Sequence, residues 1–209
     1  VSDTVIGGTA AGAGNRIHAQ FGVMVYSGEV AALGNTITAT EMTIDLGADG
    51  VTLNDSGDVD TGPNRLQNYP VLSRVITGGV DQAWVSGSLD SQPGAWYRIE
   101  FFTAASAAPA GHGSGRYVGH VEVQTDAGGL ASFTTTLSQV IAGHHVTATA
   151  TRLADVTLSP LVTSEYALAV PGVAGLVQTL PAPQVVDQDV TLALSGLSID
   201  APFSTTIST

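Results

Sequence analysis

Apolar and polar residues alternate one by one along much of this chain. The clearest runs are Ala83-Trp84-Val85-Ser86-Gly87-Ser88-Leu89, Trp96-Tyr97-Arg98-Ile99-Glu100-Phe101-Phe102 and Tyr117-Val118-Gly119-His120-Val121-Glu122-Val123. Leu130 to Leu137, Val146 to Thr151 and Ser164-Glu165-Tyr166-Ala167-Leu168 continue the series. A period of two puts neighbouring side chains on opposite faces of a strand, so one face is buried and the other wet. Strands of that kind pair antiparallel and stack as a sandwich, expected here over residues 80–170. Asp126-Ala127-Gly128-Gly129 reads as a hairpin turn between two of them. No window of helical length carries an apolar stripe behind a capping box, so the expected fold class is all-β.

Residues 1–46 follow another rule. A Gly-Asn pair followed by Ile two residues later occurs at Gly14-Asn15 and again at Gly34-Asn35, an offset of 20 residues. That period matches one coil of a solenoid, in which each coil stacks only on its neighbours and a corner Asn can bond the Asn of the next coil. Two coils cannot bury their own faces, so the segment reads as the end of a longer stack. Residues 47–79 read as an acidic junction loop. Residues 171–209 form a tail flanked by Pro171, Pro181, Pro183 and Pro202. One good strand, Val190-Thr191-Leu192-Ala193-Leu194, lies in that tail. Such a strand packs on its own domain, opens a next one, or is donated to the open edge of a neighbour and builds a filament, in that order of preference.

These segments in this order resemble bacterial right-handed parallel β-helix repeat proteins of the CSLREA type. The resemblance rests on Ile6-Gly7-Gly8-Thr9-Ala10-Ala11-Gly12-Ala13-Gly14-Asn15, on Ile44-Asp45-Leu46-Gly47 through Asn54-Asp55, and on Asp58 to Leu72. Ile99 to Phe102, Tyr117-Val118-Gly119, Val146 to Ala150 and Thr163 to Tyr166 are similar to the immunoglobulin-like sandwich that follows the coils in that family. The likeness spans about Val5 to Ala169. Where the family often has a Cys after its Phe-Phe pair, this chain has Ala104-Ala105-Ser106. The resemblance implies terminal β-helix coils leading into an antiparallel sandwich, at an extracellular or cell-surface location. It speaks far less clearly about activity.

Composition narrows the function. Eighteen acidic residues face six basic ones, all Arg, for a net charge of -12. Such a surface repels phosphate backbones, which excludes a nucleic-acid binder. There is no Cys, so thiolate metal sites, disulfides and cysteine nucleophiles are out. No apolar run approaches the ~20 residues of a membrane helix. The chain opens at Val1 without a signal peptide and reads as a mature or excised fragment.

The acidic junction is the best place for chemistry. Hard cations such as Ca²⁺ take 6–8 oxygen ligands, and Asp-rich loops with Gly turns can wrap one. Asp45, Asp49, Asn54, Asp55, Asp58 and Asp60 supply such oxygens, although no Glu stands at the twelfth position of an EF-hand loop. The competing reading is a polar turn region whose Asp and Asn cap their own backbone. His18, His112, His120, His144 and His145 read as solvated or turn residues, since adjacent His on a strand face opposite ways. Ser114 beside His112 lacks the surroundings of a nucleophile elbow. Two coils are too short for a polysaccharide groove, and Arg16 is the only basic residue in them. The expectation is a non-catalytic structural or adhesive module, with self-association or further domains of the same chain as partners. The alternative is a carbohydrate-binding or polysaccharide-degrading protein, with Trp84, Trp96, Tyr97 and Tyr117 as a stacking platform for surface glycans.

Overall fold

The computed structural model describes residues 4–78, 81–108, 111–113, 115–154 and 159–175, and the backbone of 177–179 and 198–200. The strand Val190 to Leu194 lies outside the described residues. The fold is all-β, built from several sheets, none of them closed. Among the described residues no helix is long and apolar enough to cross a membrane.

Four strands make the N-terminal part: β1 (Thr4–Gly7), β2 (Arg16–Val25), β3 (Val30–Leu33) and β4 (Thr36–Leu46). β1 pairs with β3 and β2 with β4, both in parallel. Arg16 lies opposite Thr36, an offset of 20 that matches the spacing of the two Gly-Asn pairs. Asn35 Oδ1 accepts from the Asn15 amide at 2.9 Å and from Asn15 Nδ2 at 3.1 Å, while Asn35 Nδ2 donates to Ile6 O at 2.8 Å. A Cβ on Gly14 would lie 1.8 Å from Gly34 O, so only glycine lets the two chain turns approach this closely.

The remaining strands are β5 (Val71–Gly78), β6 (Gln82–Asp90), β7 (Trp96–Ala104), β8 (Arg116–Gln124), β9 (Leu130–Ser138), β10 (His145–Leu153), β11 (Pro160–Thr163), β12 (Val170–Pro171), β13 (Val173–Ala174), β14 (Val177–Thr179) and β15 (Ser198–Asp200). One sheet runs β11-β10-β7-β8 with β12 also on β10; the other runs β13-β5-β6-β9. β5 lies in the stretch that sequence reads as junction loop, and it pairs antiparallel with β6. Its alternation is broken by a register shift between Leu72 and Arg74, which hides the period of two. The hairpin turn expected at Asp126 to Gly129 is present: Asp126 Oδ1 accepts from the Gly128 and Leu130 amides at 2.8 and 3.0 Å. β14 pairs with β15.

The two larger sheets bury Leu72, Val75, Val85, Leu89, Tyr97, Ile99, Phe101, Phe133, Val146 and Ala148 between them, with Phe101 and Phe133 edge to face at 5.8 Å. The other side of β7 is buried too. Phe102 joins Val23, Val25, Ile37, Ile44, Leu46 and Tyr166 in a second cluster against the N-terminal strands. β7 is therefore a wall shared by two cores, which is why both its faces are apolar or carry paired polar groups.

Candidate functional site

A parallel strand with one paired edge leaves every second N–H on its other edge without a partner, and each costs about 1–3 kcal/mol if buried unmet. β3 spends one edge on β1. Its other edge meets side chains rather than a strand. Asn64 Oδ1 accepts from the Val30 amide at 2.6 Å, and Asn64 Nδ2 donates to Val30 O at 2.8 Å. Thr163 Oγ1 accepts from the Ala32 amide at 2.9 Å. Glu100 Oε2 accepts from the Gly34 amide at 2.8 Å. Positions 30, 32 and 34 share one edge, so three side chains from three distant parts of the chain stand in for one strand.

The edge of β4 is met near its two ends. The Gly115 amide donates to Ile37 O at 3.1 Å, and Glu165 Oε1 accepts from the Leu46 amide at 2.9 Å. The second oxygen of Glu165 takes the Thr52 amide at 2.9 Å, which fastens the start of the junction to the seam.

Asn64 reaches Val30 from a turn of unusual shape. Asn64, Arg65 and Leu66 all have positive φ, at 49°, 58° and 51°. A left-handed residue other than Gly costs about 1–2 kcal/mol, and three in succession are rare. The buried Asn64 amide offsets this with its two bonds to Val30 and a third from Nδ2 to Thr163 O at 2.8 Å. Glu100 is fully buried and also accepts from Arg98 Nε at 2.8 Å, while Arg98 donates to the Tyr117 hydroxyl at 3.3 Å. Burial pushes the Glu100 carboxyl above its usual range, against the pull of the Gly34 amide and the Arg98 guanidinium. Glu165 is driven up to about 7, chiefly by burial, with the charges of Asp45 and Asp49 adding to the rise.

The residues singled out in the acidic junction separate into two groups. Asp55, Asp58 and Asp60 come together, each offering a carboxylate oxygen within 4.8 Å of the others. They are the one such set among the described residues. Asp58 is buried, accepts from the Asn68 amide at 2.9 Å, and receives a short hydrogen bond from Ser91, whose hydroxyl also meets Tyr97 OH at 2.7 Å. Asn68 holds the loop by accepting from the Asp55 amide at 3.1 Å and donating to Asp55 O and Asp90 O at 2.7 and 2.8 Å. One oxygen each of Asp55 and Asp60 is buried without any hydrogen-bond partner. Burial raises the Asp58 carboxyl, and burial with the charges of Asp55 and Asp58 raises that of Asp60. A cleft of about 560 Å³ opens beside Asp58 and Asp60, with Arg65 on its wall.

Asp45 and Asp49 belong elsewhere, next to Glu165. Asp45 is buried at the end of β4 with Oδ1 unpartnered, and Asp49 is exposed. Asn54 is committed to the backbone: Nδ2 donates to Tyr69 O at 2.7 Å and Oδ1 accepts from the Tyr69 amide at 2.9 Å. His112 bonds Tyr166 O at 2.8 Å and packs edge-on to Tyr69, in keeping with a turn role. Tyr97 is fully buried, Trp96 and Tyr117 are half-buried, and Trp84 is 46% exposed. The sequence matches no family model and no curated protein.

Asn64, Glu100, Thr163 and Glu165 were not singled out by sequence. The signal available was a carboxylate inside an apolar run, as in Ile99-Glu100-Phe101-Phe102, and such a residue needs a partner if buried.

Proposed function

We propose that this chain is a non-catalytic, extracellular structural or adhesive module of a bacterial surface protein. In this reading terminal coils of a right-handed parallel β-helix end on an immunoglobulin-like β-sandwich that seals them. The observation that carries it is the closure of the β3 edge by Asn64, Thr163 and Glu100, side chains that serve backbone amides rather than a substrate. An unsealed parallel edge invites further strands, so a wall that meets it atom by atom ends the stack in that direction. The test is Asn64→Ala, followed by hydrogen exchange. Amides of β3 and β4 should lose protection while those of β6 and β9 keep it; unchanged protection in β3 would overturn the sealing role.

The Asp55, Asp58 and Asp60 group supports a hard cation in the junction, with Ca²⁺ the natural choice for an all-oxygen site. Two buried carboxylate oxygens without donors are what such an ion would satisfy. It would stiffen the loop between coils and sandwich rather than take part in a reaction.

A second reading, binding of surface glycans, draws on Trp84, whose exposed ring offers a stacking face. A glycan array tests it: hits lost in Trp84→Ala would favour it, and silence on the array with no reducing sugar released would leave the scaffold reading.

A further inference from the structure

Side chains on a sandwich sheet alternate between core and solvent, so the outward positions of β5, β6 and β9 form one surface. Ile76, Trp84 and Thr136 lie in one row across the three strands, and Arg74, Ser86 and Thr134 lie in the next. Arg74, Trp84, Thr134 and Thr136 are exposed. β6 is paired on both sides, so this surface offers side chains and no free backbone.

Two features set it apart. The first is the posture of Trp84. A Cβ on Gly78 would lie 2.7, 3.4 and 3.8 Å from three carbons of its six-membered ring, so the ring covers the glycine. The indole is thus held against the sheet, and 46% of the residue stays exposed. The second is charge. The chain carries 18 acidic residues and a net charge of -12, yet the only acid in these strands is Asp90, at the last position of β6. Its Oδ1 is turned to the junction, where it accepts from the Gly57 amide at 3.1 Å. Arg74 is the only base in them, and among the described residues it has no ion pair.

We propose that this face binds an acidic oligosaccharide, with one sugar ring on Trp84 and the carboxylate of the neighbouring sugar on Arg74. This rests on the glycan reading above and adds to it a second contact and the charge of the ligand. Trp84 and Arg74 stand diagonally on adjacent strands, two residues apart in register, a separation of about 7–8 Å. That spacing places ring and guanidinium under successive sugars. The C–H face of a pyranose packs on the apolar face of an indole. A guanidinium takes a carboxylate through two parallel N–H donors. The Ser73 and Ser86 hydroxyls, 3.1 Å apart, and those of Thr134 and Thr136 can each donate and accept, which matches a polyol. Charge complementarity fixes the sign of the ligand. The acidic surface elsewhere repels an anion, and here one unpaired cation meets it among uncharged neighbours. The same field limits the ligand to few charges, so a largely neutral glycan with one acidic sugar fits and a nucleic acid does not.

The test is an array of glycan pairs, each acidic member beside its uncharged counterpart: sialyllactose with lactose, and glucuronosyl-galactose with glucosyl-galactose. The full chain should bind the acidic member of at least one pair about tenfold more tightly, the worth of one hydrogen bond to a charged group. Arg74→Ser, an exposed change that should leave the melting temperature alone, should erase that preference. Trp84→Ala should abolish binding to both members, while Trp84→Phe, which keeps a ring over Gly78, should retain part of it. Equal affinity within every pair, unaltered by Arg74→Ser, would overturn the acidic subsite and leave the broader glycan reading standing. Silence on every pair from a folded chain would overturn both.

Discussion

Both the seam and the acidic junction bury carboxylates, yet they use them in opposite ways. At the seam both oxygens of each buried glutamate have a donor: Glu100 meets Gly34 and Arg98, and Glu165 meets Leu46 and Thr52. In the junction Asp58 is satisfied, but Asp55 and Asp60 each keep a buried oxygen that meets nothing. A carboxylate with every oxygen engaged is part of the frame. One held ready with an oxygen free, beside others like it, is a place for something else to bind. Burial and charge alone do not separate the two cases; the count of donors does.

The comparison is broken most severely by Glu100→Ala, which leaves the Arg98 guanidinium buried without its carboxylate and the Gly34 amide unmet. A loss of about 3–5 kcal/mol is expected from urea unfolding. Glu100→Gln should lose much less, because an amide oxygen can still accept from Gly34. Next comes Asn64→Ala, which removes three hydrogen bonds while keeping the left-handed backbone, for a loss of about 3 kcal/mol. Asn64→Gly relieves that backbone and should fall between Ala and wild type, so the order of the three separates strain from bonding.

Glu165 sharpens the comparison through pH. Its carboxyl is raised from 4.5 to about 7 in the folded chain, so the folded state holds the proton more tightly. Its contribution to stability is complete below about pH 4.5 and is lost as pH rises to about 7. Melting temperature measured between those values should decline in the wild type and be flatter in Glu165→Gln. The smallest effect belongs to the junction. With Ca²⁺ at about ten times a Kd of about 1 mM, unfolding should cost about 1.4 kcal/mol more. In Asp60→Asn that gain should vanish; a chelated wild type that melts at the same temperature with and without Ca²⁺ would remove the metal from the junction.

Much of the architecture was legible because it repeats locally. Alternation exposed β6, β7, β9 and β10, and the 20-residue step between Asn15 and Asn35 is the register of β2 against β4. β5 was lost to a bulge that breaks its period. Asp55, Asp58 and Asp60 were visible as a cluster because they lie within six residues, and a single loop brings them together. Grouping them with Asp45 and Asn54 went too far, because sequence proximity does not tell which side of a loop a carboxylate faces. The seam was not legible at all. Asn64, Glu100 and Thr163 stand 34, 66 and 131 residues from the amides they serve, and no periodicity links such pairs.

That separation sets a schedule. During synthesis at about 5–20 residues per second, Ala32 leaves the ribosome roughly ten seconds before Thr163 exists. Over that interval the β3 edge is closed in steps, first by Asn64, then by Glu100, and last by Thr163. The coils are thus made before the sandwich yet finished only with it, waiting for a hydroxyl that arrives 131 residues later.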